Sequence, residues 1–445
     1  MSTESPSFQI DDKRIINGWA MFDWANSAFA LVITTAIFPG YLASILPTEV
    51  PFLGLDIKSS AILGFSLSFA YLIIALFLPL LTGIADYGGK KMPFMKFFTR
   101  MGGLACLALF FFVSPETMWI GLTGFILGVI GFAGGQVFYN SYLPEIVSEA
   151  KYDNVSAKGY AYGYIGSVLL LVFNLIMLTF PNFFGLDKLI GLADIFGDEP
   201  GALAARLSFV MVGIWWIGFS QITFNRLPVA NGKKLSSDIL SKGYQEIRKV
   251  WRELKTQVHA KRFLIAFFCY SAGAQTAIFL ASIFAIKELN FETSELIIVV
   301  LILQIVAIGG AYLAATLSSK YGNKKVLIVI LLIWAAICIS GYFIQGKINF
   351  YILAGFVGLV MGGVQSLSRS TYSKLIPEDT KDTASYFSFF DVLEKVAIAL
   401  GTLTFSLLDQ QSGMRVSILG LAVFFIVGIV ILTTVRSERL APKIG

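Results

Sequence analysis

In a chain whose long runs are almost wholly apolar, a few polar side chains stand where chemistry could be done. Trp19 to Pro39 reads WAMFDWANSAFALVITTAIFP, long and apolar enough to cross a bilayer. Asp23, Asn26 and Ser27 fall at i, i+3 and i+4 and share one helix face, with Thr34 two turns further on. An Asp at the centre of a span costs about 2.5–3.5 kcal/mol, so it is expected to face a cavity or a buried partner. The bland alternative is that Asp23 is solvated at the membrane surface. Arg369 falls in another apolar run, where its guanidinium could hold a carboxylate bidentately. Nearer a helix end it would only snorkel. Asp391 and Lys395 are i, i+4 and can pair on one face, either as a structural staple or as part of a network that exchanges partners. Gln136, Asn140 and Gln275 could line a cavity or make interhelical hydrogen bonds.

These residues need a membrane scaffold to position them. Of the 445 residues 56% are hydrophobic and only 14% charged, against about 25% charged in a soluble domain. The chain therefore reads as all-α and integral to a membrane. Apolar runs of span length recur twelve times, near 16–46, 59–85, 94–113, 117–142, 157–180 and 203–224, then 263–286, 295–318, 325–345, 348–373, 384–408 and 414–435. The polar, acidic first 14 residues lack a basic region ahead of a short apolar run, so the first span is expected to be retained. Cys106, Cys269 and Cys338 all lie in apolar runs and give neither a disulfide framework nor a metal spacing.

With both termini in the cytoplasm, 26 of the 34 Lys and Arg residues fall on the cytoplasmic side. Only Lys58, Lys188, Arg206, Lys287, Lys347 and Arg415 fall opposite. The net charge of +6 thus tracks membrane orientation, not nucleic acid. Between spans six and seven, 225–262 carries ten Lys/Arg against three acids. Ile247, Val250, Trp251 and Leu254 recur there at helical spacing, which describes a basic amphipathic helix at the inner membrane surface. His259, the sole histidine, ends that segment and reads as solvated. The linker divides the chain into 1–224, a first six-helix bundle, and 263–445, a second bundle with a short tail. Gly89 and Gly322 stand 233 residues apart, as do Pro144 and Pro377. Each pair has chemically similar neighbours, so the halves repeat. Duplicated halves are a transporter architecture with its site between them.

The loop Gly83-Ile84-Ala85-Asp86-Tyr87-Gly88-Gly89-Lys90-Lys91 resembles the cytoplasmic signature of the major facilitator superfamily. Its physical logic is a latch in which Asp86 pairs with cations or a helix N-terminus of the other bundle, Gly89 allows the turn, and Lys90 and Lys91 supply charge. Thr82 and Tyr87 depart from the pattern, and the second copy has Ser319 in place of the acid. A narrower resemblance is to the branch related to the fungal vacuolar amino-acid effluxer of autophagy. It is carried by Gly18-Trp19-Ala20, Asp23-Trp24-Ala25-Asn26-Ser27-Ala28-Phe29, Phe138 to Glu145, Ser156-Ala157-Lys158-Gly159, Gly163 to Gly166, and Gly362-Gly363 with Gln365, Ser368, Arg369 and Ser370. Glu394 and Thr402 depart from that branch, and Tyr164 stands where an antiporter signature has proline. Gly159, Gly163 and Ser167 read as close helix packing.

The resemblance implies a major facilitator-type fold of twelve transmembrane helices in two pseudo-symmetric bundles, with substrate contacts from spans one, four, seven and ten. The expected function is alternating-access transport of a small polar solute, amino acids first, with protons as the candidate coupling ion. Asp23 would take an ammonium or a proton and Arg369 a carboxylate; Asn26, Ser27, Gln136, Asn140, Gln275, Asp391 and Lys395 complete the expected pathway. Another solute, such as a drug or sugar, stays open, as does a partner-driven permease or lipid-handling role. No Gly-x-x-x-x-Gly-Lys-Ser/Thr loop, Ser/His/Asp set or metal-ligand cluster occurs, so neither an enzyme nor a cofactor is expected. The expected partners are the small-molecule substrate, protons and the lipid bilayer, the expected state a monomer, and the expected location a bacterial inner membrane.

Overall fold

The computed structural model describes residues 8–47, 49–52, 55–190, 199–229, 238–436 and 440. Residues 230–237 of the linker and nearly all of the tail past 436 lie outside them. Helix α1 (Lys13–Ala28) opens on Asp12, whose carboxylate accepts from the Arg14 N–H at 2.6 Å. The same span continues as a π-helix, Phe29–Ile37, and then as α2 (Phe38–Ile45). Pro39 explains the change of pitch: it has no N–H to bond back along an α-helix, and Phe38 N–H reaches Ile33 O.

A short hairpin follows, β1 (Glu49–Phe52) against β2 (Leu55–Lys58), antiparallel with Glu49 opposite Lys58. The all-helical expectation missed it. The remaining helices are α3 (Ser59–Gly88), α4 (Lys91–Ala108), α5 (Met118–Ile146), α6 (Tyr152–Thr179), α7 (Pro200–Arg226), α8 (Ile239–Thr256), α9 (Val258–Leu289), α10 (Thr293–Tyr321), α11 (Asn323–Phe343), α12 (Lys347–Leu375), α13 (Thr383–Ser412) and α14 (Met414–Thr433).

Among the described residues ten helices are long and apolar enough to cross a membrane, or eleven if α9, bent by 54° near its distal end, counts as one. The sequence expectation was twelve. The remaining apolar run is α13, and Asp391, Glu394 and Lys395 sit in the middle of its first half. Its 30 residues nonetheless make a helix of about 45 Å, the length of its neighbours. Large apolar side chains such as Leu72, Leu76, Trp119, Phe343 and Ile348 are exposed on the outer flanks, as lipid requires.

The repeat is visible in the packing. In the first half α1 packs on α6 and α7, α4 on α5 and α7, and α3 on α5. In the second, α9 packs on α13 and α14, α11 on α12 and α14, and α10 on α12. The halves meet through matching pairs as well: α6 lies on α10 and α12, and α13 lies on α3 and α5. Glycine lets α10 and α12 touch backbone to backbone, because a Cβ on Gly310 would collide with the Leu359 carbonyl.

The end of the bundle where α1 starts and α14 finishes is here called proximal. There α8 crosses both halves. Its Gly243 lies against Gly83 of α3, while Lys249 pairs with Asp382 at 2.6 Å. Tyr386 Oη donates to Glu253 at 3.0 Å, and Trp251 packs on Phe389 of α13. Partial burial opposes the Lys249 charge, but hydrogen bonds to Asp382 and Glu246 outweigh it and raise its pKa above the usual lysine range.

Candidate functional site

Arg369 is wholly buried on α12, at a depth reached by α1, α5 and α6 of the other half. Its Nη1 donates to Asp23 Oδ2 at 3.2 Å and to Asn140 Oδ1 at 3.3 Å. Its Nε donates to Ser156 Oγ at 3.0 Å and Nη2 to the Ser156 carbonyl at 2.7 Å. The flat guanidinium lies between aromatic rings, 4.2 Å from the Tyr160 centroid, 4.8 Å from Trp19 and 5.3 Å from Tyr139.

Asp23, 3% exposed, also accepts from Tyr139 Oη at 2.6 Å. Asn26 reaches the same group through Gln136, donating to its Oε1 at 2.8 Å. Five of the expected pathway residues, Asp23, Asn26, Gln136, Asn140 and Arg369, thus lie in one network that joins the halves. Neither solvation of Asp23 nor snorkelling of Arg369 describes these positions. The two charges face each other directly.

Gly159 makes that approach possible. A Cβ there would fall 2.6 Å from Tyr139 Oη and 2.8 Å from both Arg369 Nη2 and Asp23 Oδ2. Its spacing with Gly163 suggested helix packing alone, and its position at the ion pair is the addition. Gly163 lies against Ser27, which is half-buried and outside the charged network.

A second polar group lies further along α13. Gln275 of α9 donates to Glu394 at 3.2 Å, and Lys395 donates to the other Glu394 oxygen at 2.5 Å. The i, i+4 pairing of Lys395 with Asp391 is therefore replaced by a pairing with its sequence neighbour. The reason is tertiary: Tyr71 of α3 and Gln275 of α9 fix Lys395 and Glu394 beside each other. Asp391 is 3% exposed, faces Asn140, and keeps one carboxylate oxygen without a hydrogen-bond partner. Between the two groups is a cavity of about 20 Å³, lined by Tyr160, Tyr270, Gln275, Gln365, Ser368 and Glu394 among others. That is room for about one water.

At the proximal end Asp86 accepts from the backbone N–H groups of Ser385 at 2.7 Å and Ala384 at 3.3 Å, at the start of α13. Lys91 stands 3.7 Å from Asp86 and bonds both Glu145 and Thr383. Gly89 takes φ +63°, which a residue with a Cβ rarely adopts, and the Lys90 N–H closes the turn on Ala85 O. At the equivalent place in the second half the acid comes from across the interface, Asp153 at the start of α6. It accepts from Lys374 and Asn323 at 2.7 Å and from Ser318 at 2.9 Å. Sequence reasoning gave no role to Asp153, Lys374, Asn323, Glu145 or Ser156. Ser156 and Glu145 did sit inside motifs that carried the family resemblance.

Comparison with known proteins agrees with this architecture. The profile of the family described as "Vacuole effluxer Atg22 like" matches residues 11–153 and 148–443. The MFS-type transporter YxiO of Bacillus subtilis (strain 168) is 29% identical over 95% of both chains. Autophagy-related protein 22-1 of Phaeosphaeria nodorum is 24% identical over 93% of this chain and 88% of its own. Among solved structures, the Major Facilitator Superfamily transporter FucP in the outward conformation superposes with a TM-score of 0.69 at 14% identity, covering 96% of this chain and all of that one. The proton:xylose symporter XylE gives 0.68 at 14% identity over 95% of each. Fold and homology together exclude an enzyme and make this chain an integral membrane transporter. It belongs to the Atg22-like family of the major facilitator superfamily.

Proposed function

We propose that the protein is a secondary transporter of small zwitterions, amino acids first, working by alternating access. In this reading the proximal end faces the cytoplasm of a bacterial inner membrane, α13 is the eleventh of twelve spans, and protons supply the coupling. The observation that carries the reading is the Asp23–Arg369 pair, opposite charges from opposite halves held in a buried aromatic cage. Separating the halves must break it. Leaving one member of a buried pair alone costs about 3–5 kcal/mol. A zwitterion offsets that cost at both ends, its ammonium taking Asp23 and its carboxylate Arg369. A neutral sugar offers neither charge. The cavity of about 20 Å³ is far too small for such a solute, so entry requires the halves to part first. The effluxer description of the family supports transport as such.

The test is uptake of labelled neutral amino acids into proteoliposomes, with and without an imposed proton gradient, in wild type and in Asp23→Asn. Flux that Asp23→Asn abolishes supports the reading. Flux that survives the change reduces Asp23 to a packing residue. No flux of any amino acid, from protein shown to be folded, moves the substrate to another solute.

A further inference from the structure

Five Asp, Glu, Lys and Arg side chains among the described residues meet between the halves at this depth. Asp23 is taken by Arg369 and Glu394 by Lys395. Asp391 remains. Its Oδ2 is buried without a hydrogen-bond partner, and its neighbours leave it none of the cations. On its own helix Glu394 and Lys395 are paired to each other; Arg369 of α12 is filled by Asp23, Asn140 and Ser156. From α5 it faces the neutral Asn140; α3 brings Tyr71, α6 Tyr160, α9 Tyr270 and Gln275, and α12 Tyr372, Gln365 and Ser368 besides Arg369, and none of these but Arg369 is a cation. The charges of the cluster balance only if Asp391 is neutral, and an ionised carboxylate with an empty oxygen in such a place is strongly disfavoured. A protonated acid needs no countercharge.

We propose that Asp391 is the proton-binding site of the transport cycle: it carries a proton while the proximal end is closed and releases it there when the halves part. The O–H bond forms with a proton taken from water on the distal side. It breaks when α5 moves off α13, Asn140 withdraws, and proximal water reaches the carboxylate; the electron pair stays on the oxygen. One proton crosses per cycle with no oxidant or other reactant. This deepens the proposed transport function and rests on it for the coupling, though not for the proton itself.

Two measurements separate those parts. Infrared absorption of the purified protein at neutral pH reads the carbonyl band of a buried neutral carboxylic acid without any substrate. Wild type and the Asp409→Asn control are expected to show that band at equal strength, and Asp391→Asn to show it weakened or absent. A band of unchanged strength in Asp391→Asn overturns the proposal. In proteoliposomes given labelled leucine, accumulation by wild type is expected to rise several-fold with an imposed proton gradient. Accumulation by Asp391→Asn is expected to be the same with and without the gradient. Gradient stimulation that persists in Asp391→Asn also overturns it. If wild type moves no leucine, the amino-acid reading fails, and the infrared band still decides whether Asp391 holds the proton.

Discussion

The two fastenings at the proximal end occupy equivalent places in the repeat and work with opposite polarity. In the first half the acid belongs to the gripping side: Asp86 at the end of α3 takes the N-terminal N–H groups of α13, and Lys91 with Glu145 steadies it. In the second half the acid belongs to the helix that is gripped. Asp153 opens α6, and Ser318, Asn323 and Lys374 close on it. The register differs too. Aligning Gly89 with Gly322 sets Asp86 against Ser319, which is exposed, while the residue facing the gate is Ser318. Helix α11 starts correspondingly early, so that Asn323 points inward and Lys324 bonds the carbonyls that end α14. Duplication preserved the location of the fastening and left its chemistry free to be redistributed.

The contrast can be broken most severely at Asp153. Asp153→Ala leaves the buried Lys374 ammonium without its acid, and should lower stability by about 3–5 kcal/mol, read as a fall in the thermal midpoint of detergent-purified protein. Adding Lys374→Met to that variant should recover most of the loss. If the double variant is as unstable as the single one, the pair is not what holds that side. Asp86→Asn should cost less, about 1–3 kcal/mol, because Lys91 keeps Glu145 and one amide oxygen still accepts from α13. An Asp86→Asn loss equal to that of Asp153→Ala would erase the asymmetry. Thr383→Val, which removes the hydroxyl shared by Lys91 and Glu145, should cost about 1 kcal/mol in the same assay. Smallest of all, Ser319→Asp restores the acid that sequence alignment says is missing, yet on an exposed position it should change stability by no more than about 0.5 kcal/mol. A gain of a full kcal/mol would mean that residue 319, and not Ser318, faces the gate.

The scaffold was legible because its signals are long or repeated. Apolar runs of twenty residues mark spans whatever their partners, and the glycine and proline offsets mark the duplication. Asp23 and Arg369 stood out as charges in apolar surroundings, but nothing local says that they face each other across 346 positions. That distance also hid Ser156, a small hydroxyl without helical periodicity. The Asp391–Lys395 expectation failed for a related reason: i, i+4 spacing describes an isolated helix, whereas Gln275 and Tyr71 come from other helices and decide which acid Lys395 meets. The hairpin at Glu49–Lys58 was missed because each four-residue strand is too short for alternation to show. Asp153 escaped because the repeat offers no acid at the matching place.

The π-helical stretch of the first span has a consequence for insertions and deletions. Phe29–Ile37 holds its residues in wider turns than the α-helices on either side. Drawing the same nine residues into α geometry would add turn and rotate everything before the stretch relative to everything after it, whereas deleting one residue would take most of that added turn back up. At unchanged length Phe38 and Tyr41 would keep their places against Phe125 and Phe209, and Asp23 would swing off the face that meets Arg369. The stretch thus behaves as a phase spacer. It lets one span satisfy two environments whose angular positions an unbroken α-helix of the same length could not match, so a change that imposes α geometry on this segment should be tolerated less than a one-residue deletion from it.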